Sequence, residues 1–176
     1  MKQTNRDFLF RLDAPHVSLG VREPESSEWI PGVYYSRPGL DVYVRRLRGH
    51  KMRTTATLMD EFAAALQFFD GFGENWNAME ESLMDLDERL PSDSYVLLID
   101  RAEELLIDEH DSVLESLLES IEHVGKSWSR PIVGHGQFDR GAKPFHLLMN
   151  LSSEDTSTER FDRVASSVSI RQLQLE

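Results

Sequence analysis

Between residues 71 and 122 the chain carries sixteen aspartates and glutamates against two basic side chains, Arg89 and Arg101. The chemistry open to such a segment is ion pairing with arginine or lysine. The flanks are nearly balanced: residues 1–70 hold ten basic and nine acidic side chains, residues 123–176 seven and six. The formal charge of −12 therefore sits in the middle third. A field of that sign repels a phosphate backbone and accelerates capture of a basic protein. Within this third, Gly71-Phe72-Gly73-Glu74-Asn75 reads as a glycine-hinged turn with Asn75 as the cap of a short helix running to about Asp87. Gly71 and Gly73 are expected to take backbone angles that a Cβ would forbid. At about 100° per residue, Trp76, Met79, Leu83 and Leu86 share one side, and Trp76 is expected in the core. Asn77, Glu81 and Asp85 fall on the opposite side, with Glu80 on the flank.

Other chemistries lack their residues. With no cysteine there is no disulfide, thiolate metal site or thiol nucleophile. The adjacent pairs Glu80/Glu81 and Glu103/Glu104 diverge on a helix, so neither is a matched acid and base. His110, His123, His135 and His146 show no i, i+4 spacing suited to a helical metal site, and His135 reads as a surface histidine in a glycine-rich loop. No Gly-x-Ser-x-Gly or Walker glycine loop is present. The expectation is a protein that is not an enzyme and needs no metal or cofactor. Its partner is a protein, with no direct nucleic-acid or membrane contact, and its oligomeric state is left open. The first residues lack the apolar stretch of a signal peptide, so a cytoplasmic location is expected.

The elements that must hold the acidic helix follow from periodicity. Residues 1–39, with four prolines and short apolar runs, read as an N-terminal extension of strands and turns, with Trp29, Tyr34 and Tyr35 packed on the body. Residues 40–150 form the main domain. Asp41–Leu47 is its first strand; Thr57 and Asp60 suggest a capping box; Leu58, Phe62, Ala65, Leu66 and Phe69 then repeat at helical spacing. Tyr95–Ile99 is a continuous apolar run, as in a strand covered on both faces. A short helix over Ala102–Ile107 precedes a longer amphipathic one from Val113 to Val124, which Gly125 is expected to end. Phe145–Met149 is the third strand, and residues 151–176 form a C-terminal extension with a helical turn and a last strand. The fold class is α/β: a small three-stranded parallel sheet covered by helices.

The Gly73-Glu74-Asn75 turn after an aromatic residue, Ala78 in the first turn of the helix, the strand Tyr95–Asp100, and Asp111 to Leu114 followed by Leu117, Leu118 and Glu119 resemble the barstar family of ribonuclease inhibitors. The likeness covers roughly Leu40 to Asn150. It implies a barstar-like sheet and an acidic helix that plugs a ribonuclease active site, its carboxylates standing in for phosphates. It further implies a basic ribonuclease or ribonuclease-like toxin domain as partner and an immunity or antitoxin role. The partner-binding residues it implies are Gly71, Phe72, Gly73, Glu74, Asn77, Glu80, Glu81, Asp85 and Glu119. Glu81 takes the place of the family's central aspartate, and Asn77 that of a second aspartate. Glu80 stands where the best-known member has an interfacial tryptophan, Gly71 where it has a contacting tyrosine, and Glu119 matches a contacting glutamate. The alternative is an acidic interaction or regulatory module that kept this scaffold but meets another kind of protein.

Overall fold

Ser94–Asp100 is a strand whose sequence permits burial on both faces, and it lies inside the sheet with all seven residues buried. In the computed structural model, which describes residues 7–21, 38–153 and 156–173, five strands form one sheet. They are β1 (Val17–Val21), β2 (Val42–Arg48), β3 (Ser94–Asp100), β4 (Phe145–Leu151) and β5 (Arg171–Gln172), in the order β2-β3-β4-β1-β5. Every neighbouring pair is parallel.

The expected three strands are the contiguous group β2, β3 and β4; the expected strand count is corrected to five. The reason is edge satisfaction. Alone, β4 would leave a row of backbone amides and carbonyls unpaired, and β1 takes that edge in register from Val17 opposite Leu147 to Val21 opposite Leu151. β5 then pairs with β1. The aromatic residues Trp29, Tyr34 and Tyr35 lie outside the described residues.

Parallel strands need crossovers, and here the helices gather on one face. Alternate residues Tyr95, Leu97 and Ile99 of β3 join a core with Leu58 and Phe62 of α1 (Thr55–Leu66), Met79 and Leu83 of α2 (Trp76–Met84), and Leu117, Ile121 and Val124 of α4 (Asp111–Trp128). The short α3 (Leu86–Arg89) follows α2, and α5 (Glu159–Val164) adds Phe161 and Val164. On the opposite face Val96, Leu98 and Leu148 pack with Leu9, flanked by Phe8, Phe10 and Leu173.

Several local expectations change. Thr54, not Thr57, caps α1, with Thr57 as the reciprocal partner of the capping box. α1 stops at Leu66 because Gln67 turns left-handed, φ 54°, so Phe69 is carried off the helix and is 59% exposed instead of facing the core. The helix expected to reach Asp87 breaks at Asp85 into α2 and α3. Only Ala102–Glu104 winds into a 3₁₀ turn. Gly125 does not end α4, which continues to Trp128; it sits inside the helix where a Cβ would lie 2.3 Å from Cγ of His16.

That close approach locks β1 onto the core. Glu122 of α4 accepts the backbone amides of His16, at 2.5 Å, and Val17, at 3.1 Å, satisfying the start of β1. His16 and His146 are both buried with ring centroids 5.3 Å apart. Each is bonded to a carbonyl: Nδ1 of His16 to Phe145 O, and Nε2 of His146 to Arg11 O. A ring nitrogen facing a carbonyl must carry hydrogen, while Nδ1 of His146 has no partner among the described residues.

Burial pushes His146 down to about 4 and lowers His16 as well, despite the Glu122 carboxylate beside it. Unfolded, both rings titrate near 6.5, so the unfolded chain binds more protons as acid is added. The contribution of both rings is complete above pH 6.5 and declines as pH falls below it; for His146 the loss runs towards pH 4 and is on the order of 3 kcal/mol. Urea denaturation should show stability falling between pH 6.5 and 5, before the carboxylates protonate, with amide exchange in β1 and β5 rising first. A flat profile there would refute a buried neutral pair. Gly125→Ala should cost about 2 kcal/mol by forcing His16 out of its seat.

Candidate functional site

The acidic helix is positioned by a turn whose strain falls elsewhere than on its glycines. The left-handed residue is Glu74, φ 47°, while Gly71 and Gly73 are absent from the positive-φ residues, correcting the expected role of both. Gly73 is needed for space: a Cβ there would lie 2.9 Å from Nδ2 of Asn75. Asn75 staples the turn by donating from Nδ2 to Gly73 O, at 2.9 Å, and accepting the Ala78 amide at Oδ1, at 3.0 Å. Phe72 turns inward, its ring 4.9 Å from that of Phe68, so it is available to a partner only in part.

α2 buries Met79, Ser82 and Leu83, with Trp76 half-buried against the same core, and leaves Asn77 and Glu81 exposed. Asp85 closes the helix and is exposed too. α4 lies alongside and runs the same way: Glu80 Oε2 is 4.0 Å from His123 Nε2, and farther on Trp128 Nε1 donates to Leu83 O at 3.0 Å. Glu119, exposed, is one helical turn before His123. The structure thus sets Glu80 and Glu119 on adjacent helices. Glu119 also borders a cleft of about 370 Å³ with Glu122, His123, Lys126 and residues 167–169.

Within the acidic third the structure separates carboxylates that hold the fold from those that do not. Asp87 binds Lys143 Nζ at 2.6 Å and accepts the Tyr95 hydroxyl at 2.9 Å. Burial opposes its charge, yet these two donors hold its carboxyl below the usual range, and burial together with Asp87 pushes the Tyr95 hydroxyl up. Asp100 pairs with Arg46, and Glu104 and Asp108 with Arg53. Asp111 pairs with Arg160 and Arg163, whose guanidinium groups lower its pKa. Glu103, Glu109 and Asp93 accept backbone amides of Ser152, Thr55 and Asp41. Among the described residues no ion pair or side-chain hydrogen bond engages Glu74, Glu81, Asp85, Glu88, Glu115 or Glu119. Those unpaired groups belong to the turn, α2, α3 and α4.

The loop after α4 is anchored to the same end. Arg140 stacks 4.0 Å over the Trp128 ring and donates to carbonyls of the last turn of α4, including Ser127 O. Asp139 clamps the amides of Gly134 and His135, leaving the His135 side chain in an exposed loop. Among the described residues no three His, Asp or Glu side chains gather where they could hold a metal ion.

Sequence reasoning missed two contributors. Phe69 gave a helical-spacing signal that pointed inward, and nothing in Gln67 announced a stop. The Arg140–Trp128 stack joins residues whose proximity no spacing rule encodes.

A sequence profile described as "Barstar (barnase inhibitor)" matches residues 42–149. That span runs from the first residue of β2 into β4 and covers more than half of the 176 residues; β1 and β5 lie outside it. No curated protein matches the chain. Among the described residues no helix is long and apolar enough to cross a membrane.

Asn75→Ala removes both the cap and the bond that closes the turn. It should cost about 1 kcal/mol in denaturant unfolding and raise amide exchange at Ala78 and Met79 above that of α4. Unchanged exchange at those amides would show that the turn holds without its staple.

Proposed function

The chain belongs to the barstar family, a family of barnase inhibitors, and on that premise we propose that it binds a basic ribonuclease or ribonuclease-like toxin and covers the enzyme's active site with the exposed face of α2. The observation that carries this reading is the distribution of unpaired carboxylates. Where the fold needs an acid, it supplies a cation or backbone amides; among the described residues it supplies none to Glu81, Asp85 and Glu119 on α2 and its neighbour α4. A ribonuclease cleft built for phosphates is lined with cations, so it is the complement of such a face.

The roles follow from position. Glu81, at the middle of the exposed face, is the central carboxylate. Asp85 and Glu119 flank it, and Glu80, held beside His123, borders the same surface. Asn77 offers a neutral amide. Glu74, Gly73 and Gly71 form the rim at the helix start, with Phe72 only half-exposed. Inhibition is steric and electrostatic, with no cofactor. Association is steered by opposite charge and is therefore slowed by salt. Immunity of the cell that makes the nuclease is the role this reading implies.

The test compares wild type with Glu81→Lys/Asp85→Lys as baits in the native lysate, and assays what salt releases for RNA cleavage. Both changes are at exposed positions, so the fold should survive, as circular dichroism would check. Wild type should retain a ribonuclease that the double variant loses, with affinity down roughly a hundredfold or more and an on-rate that falls with salt. Retention of a non-nuclease partner by both baits would instead favour the interaction-module alternative.

A further inference from the structure

Phe69 is the aromatic residue that the structure leaves out of the core beside the acidic helix. α1 has already ended at Leu66, and Phe68 and Phe72 turn towards each other. The backbone of Phe69 is fixed: its carbonyl accepts the amides of Gly71 at 2.9 Å and Phe72 at 3.0 Å. Its ring lies across Gly71, where an ideal Cβ would fall 3.0 Å from Cε2 and 3.4 Å from Cδ2. The absence of a side chain at position 71 is thus what lets the ring rest there. At 59% exposure the ring still presents most of itself to solvent.

The surroundings decide what it can receive. Asp70 follows it directly and Glu74 stands in the same turn; both are exposed and neither has a side-chain partner among the described residues. Other exposed apolar side chains, such as Val133 and Phe138, sit on the loop after α4 and lack adjacent unpaired carboxylates in sequence. An exposed π-face with one acidic residue next to it in sequence and another in the same turn suits a guanidinium, which can stack on the ring and pair its N–H groups with carboxylates. We propose that Phe69, with Asp70 and Glu74, is an arginine-binding platform at the edge of the α2 face. Resting on the reading above, this makes Phe69 an anchor for an arginine of the ribonuclease. Aromatic anchors fixed before binding lose little conformational freedom, which is why they dominate interfaces.

Two probes separate this inference from the reading it extends. The first is an arginine heptapeptide titrated into protein with labelled phenylalanine rings, with a lysine heptapeptide as control. The arginine peptide should shift the Phe69 ring resonances and bind several-fold tighter than the lysine peptide. Phe69→Ser and Phe69→Leu should abolish that preference and Phe69→Tyr keep it. The second is barnase: binding should weaken roughly tenfold in Phe69→Ser and in Phe69→Leu alike. An unmoved Phe69 resonance overturns the platform, and so does a Phe69→Leu variant that behaves as wild type, since that ring would then be only an apolar contact. Absence of barnase binding alongside a shifted Phe69 ring counts against that ribonuclease while supporting the platform. Barnase binding that responds to Glu81→Lys but not to Phe69→Ser supports the inhibitor reading and overturns the platform.

Discussion

A parallel sheet must be covered on both faces, and the structure is organised around meeting that demand at β3. Its seven residues are all buried. One face is covered by α1, α2 and α4, and the described cover on the other includes Leu9 and its aromatic neighbours. Because α2 and α4 are both needed to cover the first face, they are packed side by side, and their outer surfaces become one surface. The position of the acidic residues is thus a by-product of core coverage. Met79 and Leu83 point to β3; Glu81 has to point away.

Coverage has a cost at the opposite edge. Adding β1 beside β4 brings two histidines, a glutamate and a helix glycine into a space of a few ångströms, and only neutral rings fit it. Burial of Glu122 is tolerated because its Oε1 accepts the two backbone amides at the start of β1. The strand that protects the sheet edge is therefore the part of the fold most exposed to acid, while the α2 face, held by apolar contacts and the Trp128–Leu83 bond, is not tied to those rings.

The sheet core and the acidic helix were legible because their signals are local and periodic. Tyr95–Ile99 cannot be a surface strand, and the alternation of Met79 and Leu83 with Asn77 and Glu81 specifies a helix with two faces. What failed were features decided by distant partners. Gly125 looks like a helix stop until His16 is placed against it. Phe69 continues the spacing of Leu58, Phe62 and Leu66, but Gln67 ends the helix first. The five-strand count depends on β1 finding an edge 130 residues away in register, from Val17 to Leu147, and no pattern within either strand announces that pairing. For the candidate site, the sequence exposed the concentration of acid but not its division. Asp87, Asp100 and Asp111 read the same as Glu81, and only the positions of Lys143, Arg46 and Arg160 separate them.

That division bears on why the remaining acids are where they are. Glu81 and Asp85 are like charges one turn apart, and both lie near the C-terminal end of α2, where the helix dipole favours cations. By the rules of helix stability this arrangement is unfavourable by several tenths of a kcal/mol on each count. The chain offsets it locally. Asn75 caps the start of α2, and Arg89 reaches back to donate to Ser82 O at 2.7 Å, satisfying a carbonyl in the last turn. Arg89 is also one of two basic side chains in the acidic third, and it is spent on the backbone rather than on the nearby carboxylates. A helix with both ends satisfied, whose like charges find no cation among the described residues, departs from local stability in the placement of its acids. Departures of that kind are expected at functional or strained sites, and they are the physical ground on which the α2 face is proposed as a binding surface.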